Sequence, residues 1–258
     1  MSFAARHSSY RYLEQFFINK CSGLICIIGM QRLLYEADFV KIPTIVLPLG
    51  SRKDQLVLGE NSSRPKFEAK RVVYIGRLTP HIDLDVMMKA LKICYPHGIT
   101  MMWVGLKSGD FPILKQHMTL HGLPDEAFIR KGWMPHKEMI ECLLSEASAG
   151  LATYRSTFRS AAVTSPTKIF DYYSIGLPVI GVKIPTVSEI VEDGKEGMLY
   201  EPENAASLAE AILAMFSSES RYEYMQAQAL RAADFYSWQN RAKRLLDFAD
   251  KVVMPIKY

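Results

Sequence analysis

The sequence predicts an α/β protein: a Rossmann-like parallel sheet with flanking helices, preceded by a short βαβ piece. Two observations carry this. From residue 71 onward short apolar runs alternate with amphipathic stretches, the rhythm of helices packed on a parallel sheet. The first 55 residues repeat the same grammar in miniature.

In that opening part a helix is expected near 9–20, a strand at GLICIIG (23–29), a helix near 30–38 and a strand at TIVLPLG (44–50). Two strands cannot bury both faces alone, so this piece must lean on the later domain or on further chain. Residues 55–70, QLVLGENSSRPKFEAK, are polar with Gly, Asn, Ser and Pro and read as a linker. The main domain, 71–218, opens with the strand RVVYIG (71–76) and a helix at 84–94 whose Leu84, Met87, Met88 and Leu91 fall at helical spacing. ITMMWVG (99–105) is the next strand, followed by a helix near 111–121. AFIRKG (127–132) is a short strand, followed by a helix at 136–147 with Met139, Ile140, Leu143 and Leu144 on one face. AGLATY (149–154) and PVIGV (178–182) read as buried strands on either side of a short helix, and GMLYE (197–201) closes the sheet before a helix at 204–216. Residues 219–258 are expected to supply helices packing back toward the amino-terminal part, the last at 236–253 capped by Ser237.

Composition narrows the function classes. The 258 residues are 49% hydrophobic and 22% charged, ordinary for a globular protein. The longest apolar run, GLICII at 23–28, is far short of the roughly 20 residues of a membrane helix. The opening MSFAARHSSYRYLEQ lacks a secretory core, so the expected compartment is the cytoplasm. Four cysteines, at 21, 26, 94 and 142, form no CxxC pair, which fits reduced thiols. A net charge of +4 with scattered basic residues points to no nucleic-acid partner.

In open α/β sheets ligands bind beyond the carboxyl ends of strands, where helix amino termini present free N–H groups. Gly76 and Arg77 follow the first strand of the main domain, Gly105 the second, and Gly132, Trp133 and Met134 the third. In SPTKIFD (165–171), Ser165 suits an N-cap, Pro166 the first helical turn, and Gly176 with Pro178 the helix end. Lys168 then lies in the first turn, where a cation opposes the helix dipole unless an anion sits above it. Asp171, one turn on, suits a ribose diol. The other reading is a surface Lys–Asp pair worth about a few tenths of a kcal/mol. Trp133 suits a nucleobase cover or a core aromatic, while Tyr172 and Tyr173 are expected to pack on the sheet. His81 and His136 lie in loops near the same end. His117 and His121, four apart without an accompanying Glu or Cys, read as a solvated helix face rather than a metal site.

The motifs YIGRL, WVG, FIRKGWMPHKEM, TKIFDYYSIGLPVIG and PTVSEIVEDGKEGMLYEPEN, in this order, resemble the donor-binding carboxy-terminal domain of GT-B glycosyltransferases of the group 1 (family 4) type, over 71–216. The resemblance implies transfer of a sugar from a nucleotide-diphosphate donor, most plainly a UDP-sugar, to a glycan or lipid-linked acceptor, without a metal or other cofactor and with retention of configuration. It implies that Gly76 and Arg77 meet the diphosphate, that Gly132, Trp133 and Met134 hold the nucleobase, and that Asp171 takes the ribose. Gly105, Ser165, Thr167, His81 and Glu189 are further candidates, with a helix-surface carboxylate as the other reading of Glu189. No GxGxxG follows a strand, which argues against an NAD(P) domain.

The chain departs from the family pattern in three ways. The family's lysine a few residues after the GRL arginine is Ile82, and the first glutamate of its paired-glutamate motif, eight residues before Asp171, is Val163. SPTKIFD instead resembles a branch that includes bacterial glucuronosyltransferases, in which the lysine approaches the phosphates; Lys168 would then replace the charge absent at Ile82. Residues 1–54 resemble only the end of the acceptor domain. This implies a fragment, an enzyme working with a separate acceptor-domain subunit, or a non-catalytic nucleotide-sugar-binding or scaffolding subunit. The basic and aromatic segment RHSSYRYLEQFFINK is expected to pack its aromatic face on the protein; the alternative is peripheral contact with a membrane bearing a lipid-linked acceptor.

Overall fold

The computed structural model describes residues 8–38, 42–52, 67–157 and 163–253. The amino-terminal unit comprises α1 (Ser8–Ile18), β1 (Leu24–Cys26), α2 (Gly29–Asp38) and β2 (Thr44–Val46). Its two strands pair in parallel, Leu24 opposite Thr44. Both are shorter than the sequence suggested, because past Cys26 and Val46 the chain turns away to meet the rest of the molecule. Most of the expected linker, 55–70, lies outside the described residues; within 67–70, Phe67 packs against Phe216 and Tyr222.

The main sheet runs through β3 (Arg71–Ile75), β4 (Thr100–Leu106), β5 (Phe128–Gly132), β6 (Ala149–Ala152), β7 (Val179–Val182) and β8 (Gly197–Tyr200). All five strand pairs are parallel, in the order β5-β4-β3-β6-β7-β8. The chain winds outward from β3 to one edge, then returns beside β3 and winds to the other. That is the doubly wound order, with its switch point between β3 and β6. Strands β3, β4, β6 and β7 are almost wholly buried, as covering helices on both faces require.

Helices α3 (Leu84–Cys94), α4 (Asp110–Leu120), α5 (His136–Glu146), α6 (Thr167–Ser174), α7 (Pro185–Ser188) and α8 (Ala205–Met215) connect or follow these strands. Asp83 and Asn204 cap α3 and α8 with side-chain oxygens. Tyr172 and Tyr173 are fully buried against the sheet, as expected. His121 is not a solvated face: its side chain is 12% exposed and its Nε2 lies 2.8 Å from Asp85 Oδ1.

Two further helices, α9 (Glu219–Phe235) and α10 (Trp238–Val252), follow Ser218 and Ser237, which cap them. Helix α9 packs on α6, and α10 carries the amino-terminal unit. Arg241 Nε donates to the carbonyl of Pro48 at 2.9 Å and Arg244 to that of Val46 at 3.2 Å. One expectation fails here. The aromatic face of α1 does not pack on the protein: Tyr12 is 69% and Phe17 63% exposed, with Leu13 and Phe16 also open. Two short strands offer too little apolar surface to cover it.

Candidate functional site

At the switch point the carboxyl ends of β3 and β4 and the amino terminus of α6 enclose a cleft of about 410 Å³. Gly76 follows β3 with φ +130°, open to glycine but not to L side chains. Its carbonyl accepts from Trp103 Nε1 at 2.7 Å. Gly105, at φ +102°, comes so close that an added Cβ would stand 3.1 Å from that same carbonyl. The buried indole and the missing Cβ together hold the Gly76–Arg77 turn at the rim, with Arg77 exposed on it.

Helix α6 is fixed from below by Tyr172. Its hydroxyl accepts from the Ile75 N–H at 3.2 Å and faces the carbonyls of Val73 and Leu151 at 3.3 Å. Gly150 makes room for the ring: a Cβ there would lie 2.3 Å from it. One turn nearer the mouth on the same face sits Lys168. Its Nζ donates to Tyr74 Oη at 3.0 Å and lies 3.3 Å from Tyr154 Oη. It also stands over both rings, 4.3 and 4.7 Å from their centroids. Withdrawal from water lowers its pKa from 10.5 to about 7, and the same burial raises Tyr154 to about 12 and Tyr74 higher still.

Asp171 is one turn on, its side chain 25% exposed. Its Oδ1 lies 3.1 Å from His136 Nε2 at the start of α5. The two residues are therefore not a surface ion pair with each other: Lys168 meets phenols and Asp171 meets an imidazole. The cleft is lined by Gly76, Arg77, Gly105, Trp133, Met134, Thr167, Lys168 and Asp171 together. Trp133 is 77% exposed, so it is a rim residue and not a core aromatic.

Other candidates lie elsewhere. Gly132 ends β5 one residue before the lining. Ser165 does not cap α6, which starts after Pro166; it is buried, and its Oγ accepts from the Leu49 N–H at 3.3 Å. The Pro166 ring leaves the cap position without a side-chain oxygen. His81 is exposed, and its carbonyl accepts from the Arg155 N–H. Glu189 stands just past α7, where its carboxylate accepts from the Gly29 N–H at 2.7 Å and ties α2 to the main domain. It borders a separate cleft of about 560 Å³ between α7 and α9. That cleft is larger but has no strand end, and its Lys195 is already paired with Glu192 and Glu196.

Sequence reasoning missed Tyr74, Tyr154 and the pairing of His136 with Asp171. Tyr74 had left a signal: a tyrosine inside an apolar strand brings a hydroxyl that needs a partner when buried.

Comparison with known proteins bears on the family and the fold. A family model described as glycosyl transferases group 1 matches residues 69–218. Among curated proteins, UDP-glycosyltransferase TURAN of Arabidopsis thaliana is 29% identical over 162 residues, covering 54% of this chain and 32% of TURAN. The chitobiosyldiphosphodolichol beta-mannosyltransferase of Debaryomyces hansenii is 21% identical over 196 residues, covering 70% and 40%. The chain thus spans less than half the length of these relatives. Among solved structures, Anabaena Alr3699/HepE in complex with UDP superposes with a TM-score of 0.75 at 18% identity, covering 96% of this chain and 70% of that one. Pneumococcal O-GlcNAc transferase GtfA, in complex with UDP and GlcNAc, gives 0.67 at 19%, covering 95% and 48%. These likenesses establish the parallel α/β fold of the GT-B enzymes. With the family match spanning more than half its length, the chain belongs to the group 1 glycosyl transferases.

Proposed function

We propose that this chain is the donor-binding part of a glycosyltransferase that takes a sugar from a nucleotide diphosphate, a UDP-sugar, and passes it to a glycan or lipid-linked acceptor. The observation that carries the reading is the meeting of Arg77, Lys168 and Asp171, from three parts of the sequence, in one cleft at the switch point. An anion there faces the amino terminus of α6, a guanidinium able to bind phosphate bidentately, and an amine, which together stabilise a departing diphosphate without a metal. Asp171, its Oδ1 held by His136, keeps the other carboxylate oxygen for a ribose hydroxyl. The Trp133–Met134 segment meets the nucleobase at the opposite rim.

Lys168 takes over the charge that Ile82, a buried core residue, does not supply. This pattern favours the glucuronosyltransferase-like branch of the family. Retention of configuration rests on the family resemblance, with Val163 in place of its first glutamate. An acceptor domain from further chain or from a separate subunit completes the enzyme, which works in the cytoplasm. The exposed aromatic face of α1 supports this incompleteness.

Calorimetric titration of UDP, GDP and ADP into the chain, beside Lys168→Ala and Asp171→Ala, tests the reading. Selective binding of UDP, weakened in both variants, is expected; a folded chain that binds none refutes it. Binding without turnover when an acceptor-domain partner is supplied would mark a nucleotide-sugar-binding subunit rather than a catalyst.

A further inference from the structure

We propose that Lys168 stands as a neutral amine in much of the empty protein and takes up a proton when a diphosphate enters the cleft, with Tyr74 and Tyr154 as the positioning residues that hold it for this. The proposal rests on the donor-cleft reading and adds to it a coupling between pH and donor affinity.

The geometry argues for it. A buried lysine that stays charged is commonly paired with a carboxylate, but among the described residues Lys168 Nζ meets two phenol oxygens instead. The two ring faces beneath it favour the ammonium by less than the loss of water disfavours it. Burial is the one influence on its titration. A phenol both donates and accepts. The charged amine therefore donates to both hydroxyls, while the neutral amine accepts from one and donates to the other. The cradle holds the nitrogen in place in either state. Neither phenol supplies the proton, since burial keeps both protonated at neutral pH.

The other groups around the amine do not fix its charge. Among the described residues these are Tyr74 and Arg77 on β3 and its following turn, Tyr154 after β6, Asp171 on α6, and His136 on α5, which is engaged with Asp171. Arg77 is a second cation on the same cleft, exposed at its rim. A bound diphosphate reverses the balance: its negative charge beside Nζ makes the ammonium the stable form. In the step one N–H bond forms on Nζ with a proton from solvent, and no other bond changes. Donor affinity then falls by about tenfold per pH unit above about 7, until the bound amine itself titrates.

Calorimetry of UDP binding in two buffers of different ionisation enthalpy reads the proton directly. At about pH 8, where free UDP is fully ionised, wild-type chain is expected to take up about half to one proton per site. At about pH 6 Lys168 is already protonated and the terminal phosphate of UDP gives up part of a proton on binding, so net release is expected. Lys168→Arg, whose guanidinium does not titrate, is expected to bind without uptake, and His136→Gln to keep it. Should Lys168→Arg not bind, the wild-type affinity between about pH 6 and 9 decides, the expected fall above about 7 standing against a flat profile. UDP binding with no uptake at pH 8, a flat profile, uptake that persists in Lys168→Arg, or uptake lost in His136→Gln each overturns this inference while leaving the donor cleft standing. No binding of UDP, GDP or ADP by the folded chain overturns both.

Discussion

Replacing Lys168 by methionine keeps an unbranched stem in the wall of the cleft and removes the titrating nitrogen. The lysine's pKa falls from 10.5 in the unfolded chain to about 7 in the folded one. Between those values the unfolded chain binds more protons, so this residue's cost to folding is complete below pH 7 and fades as pH rises toward 10.5. A shift of that size corresponds to a cost of about 4 kcal/mol at pH 7 and about 2 at pH 9 for a fully desolvated amine. The residue is only partly buried, and solvent screening reduces this difference to about 1–2 kcal/mol. Lys168→Met would also leave two phenol hydroxyls short of a partner, but that loss is the same at both pH values, since Tyr74 and Tyr154 titrate far above them. Urea unfolding of both proteins at pH 7 and 9 is the assay. Wild type should gain on Lys168→Met by about 1–2 kcal/mol between the two. Parallel stabilities would refute the reasoning, because they would mean that the amine keeps its proton in the folded, empty cleft.

Arg77 is exposed on the rim, so Arg77→Ala should change urea stability by less than about 0.5 kcal/mol. The same change should weaken UDP binding by about ten- to a hundredfold in calorimetry. Tyr172→Phe removes the acceptor of the Ile75 N–H and the donor facing Val73 and Leu151. A loss of about 1–3 kcal/mol in urea unfolding is expected; a neutral result would mean that water reaches the site. Gly105→Ala drives a Cβ to 3.1 Å from the Gly76 carbonyl at φ +102°. It should cost about 1–3 kcal/mol in stability and lower UDP affinity, because the turn carrying Arg77 must shift.

How much of this was legible in the sequence differs between scaffold and site. The apolar runs at 71–76, 99–105 and 178–182 marked strands to within a residue or two, because a strand buried on both faces leaves no polar interruption to blur it. Gly76, Arg77, Lys168 and Asp171 were legible for a topological reason: whatever follows a strand of a doubly wound sheet arrives at the same edge. What topology does not encode is which way a side chain turns there. Ser165 looked like a cap and serves Leu49 instead, because Pro166 sets the helix start one residue later than the hydroxyl needs. Glu189 fell in a familiar motif but faces the amino-terminal unit, a packing that no local pattern reports. Tyr154 lies on a loop beyond β6, so its approach to Lys168 depends on how that loop folds back.

Helix α6 brings two opposing demands together on one face. Lys168 and Tyr172 are four residues apart and reach the end of the same strand, one at Tyr74 and the other at Ile75. The inner residue is fully buried and hydrogen-bonded to β3 and β6. The outer one is partly withdrawn from water and has no carboxylate partner among the described residues. An amine in that position costs stability, and a helix of eight residues has little of its own to offset it. The Tyr172 contacts one turn deeper are therefore what allow the helix to keep a destabilising group at its mouth. A site that were only structural would have no reason to combine the two, since an apolar side chain in place of the amine would fold better. The pairing of a desolvated outer residue with a secured inner one is what a cleft needs if it is to present charge to an anion on arrival and keep its shape when empty.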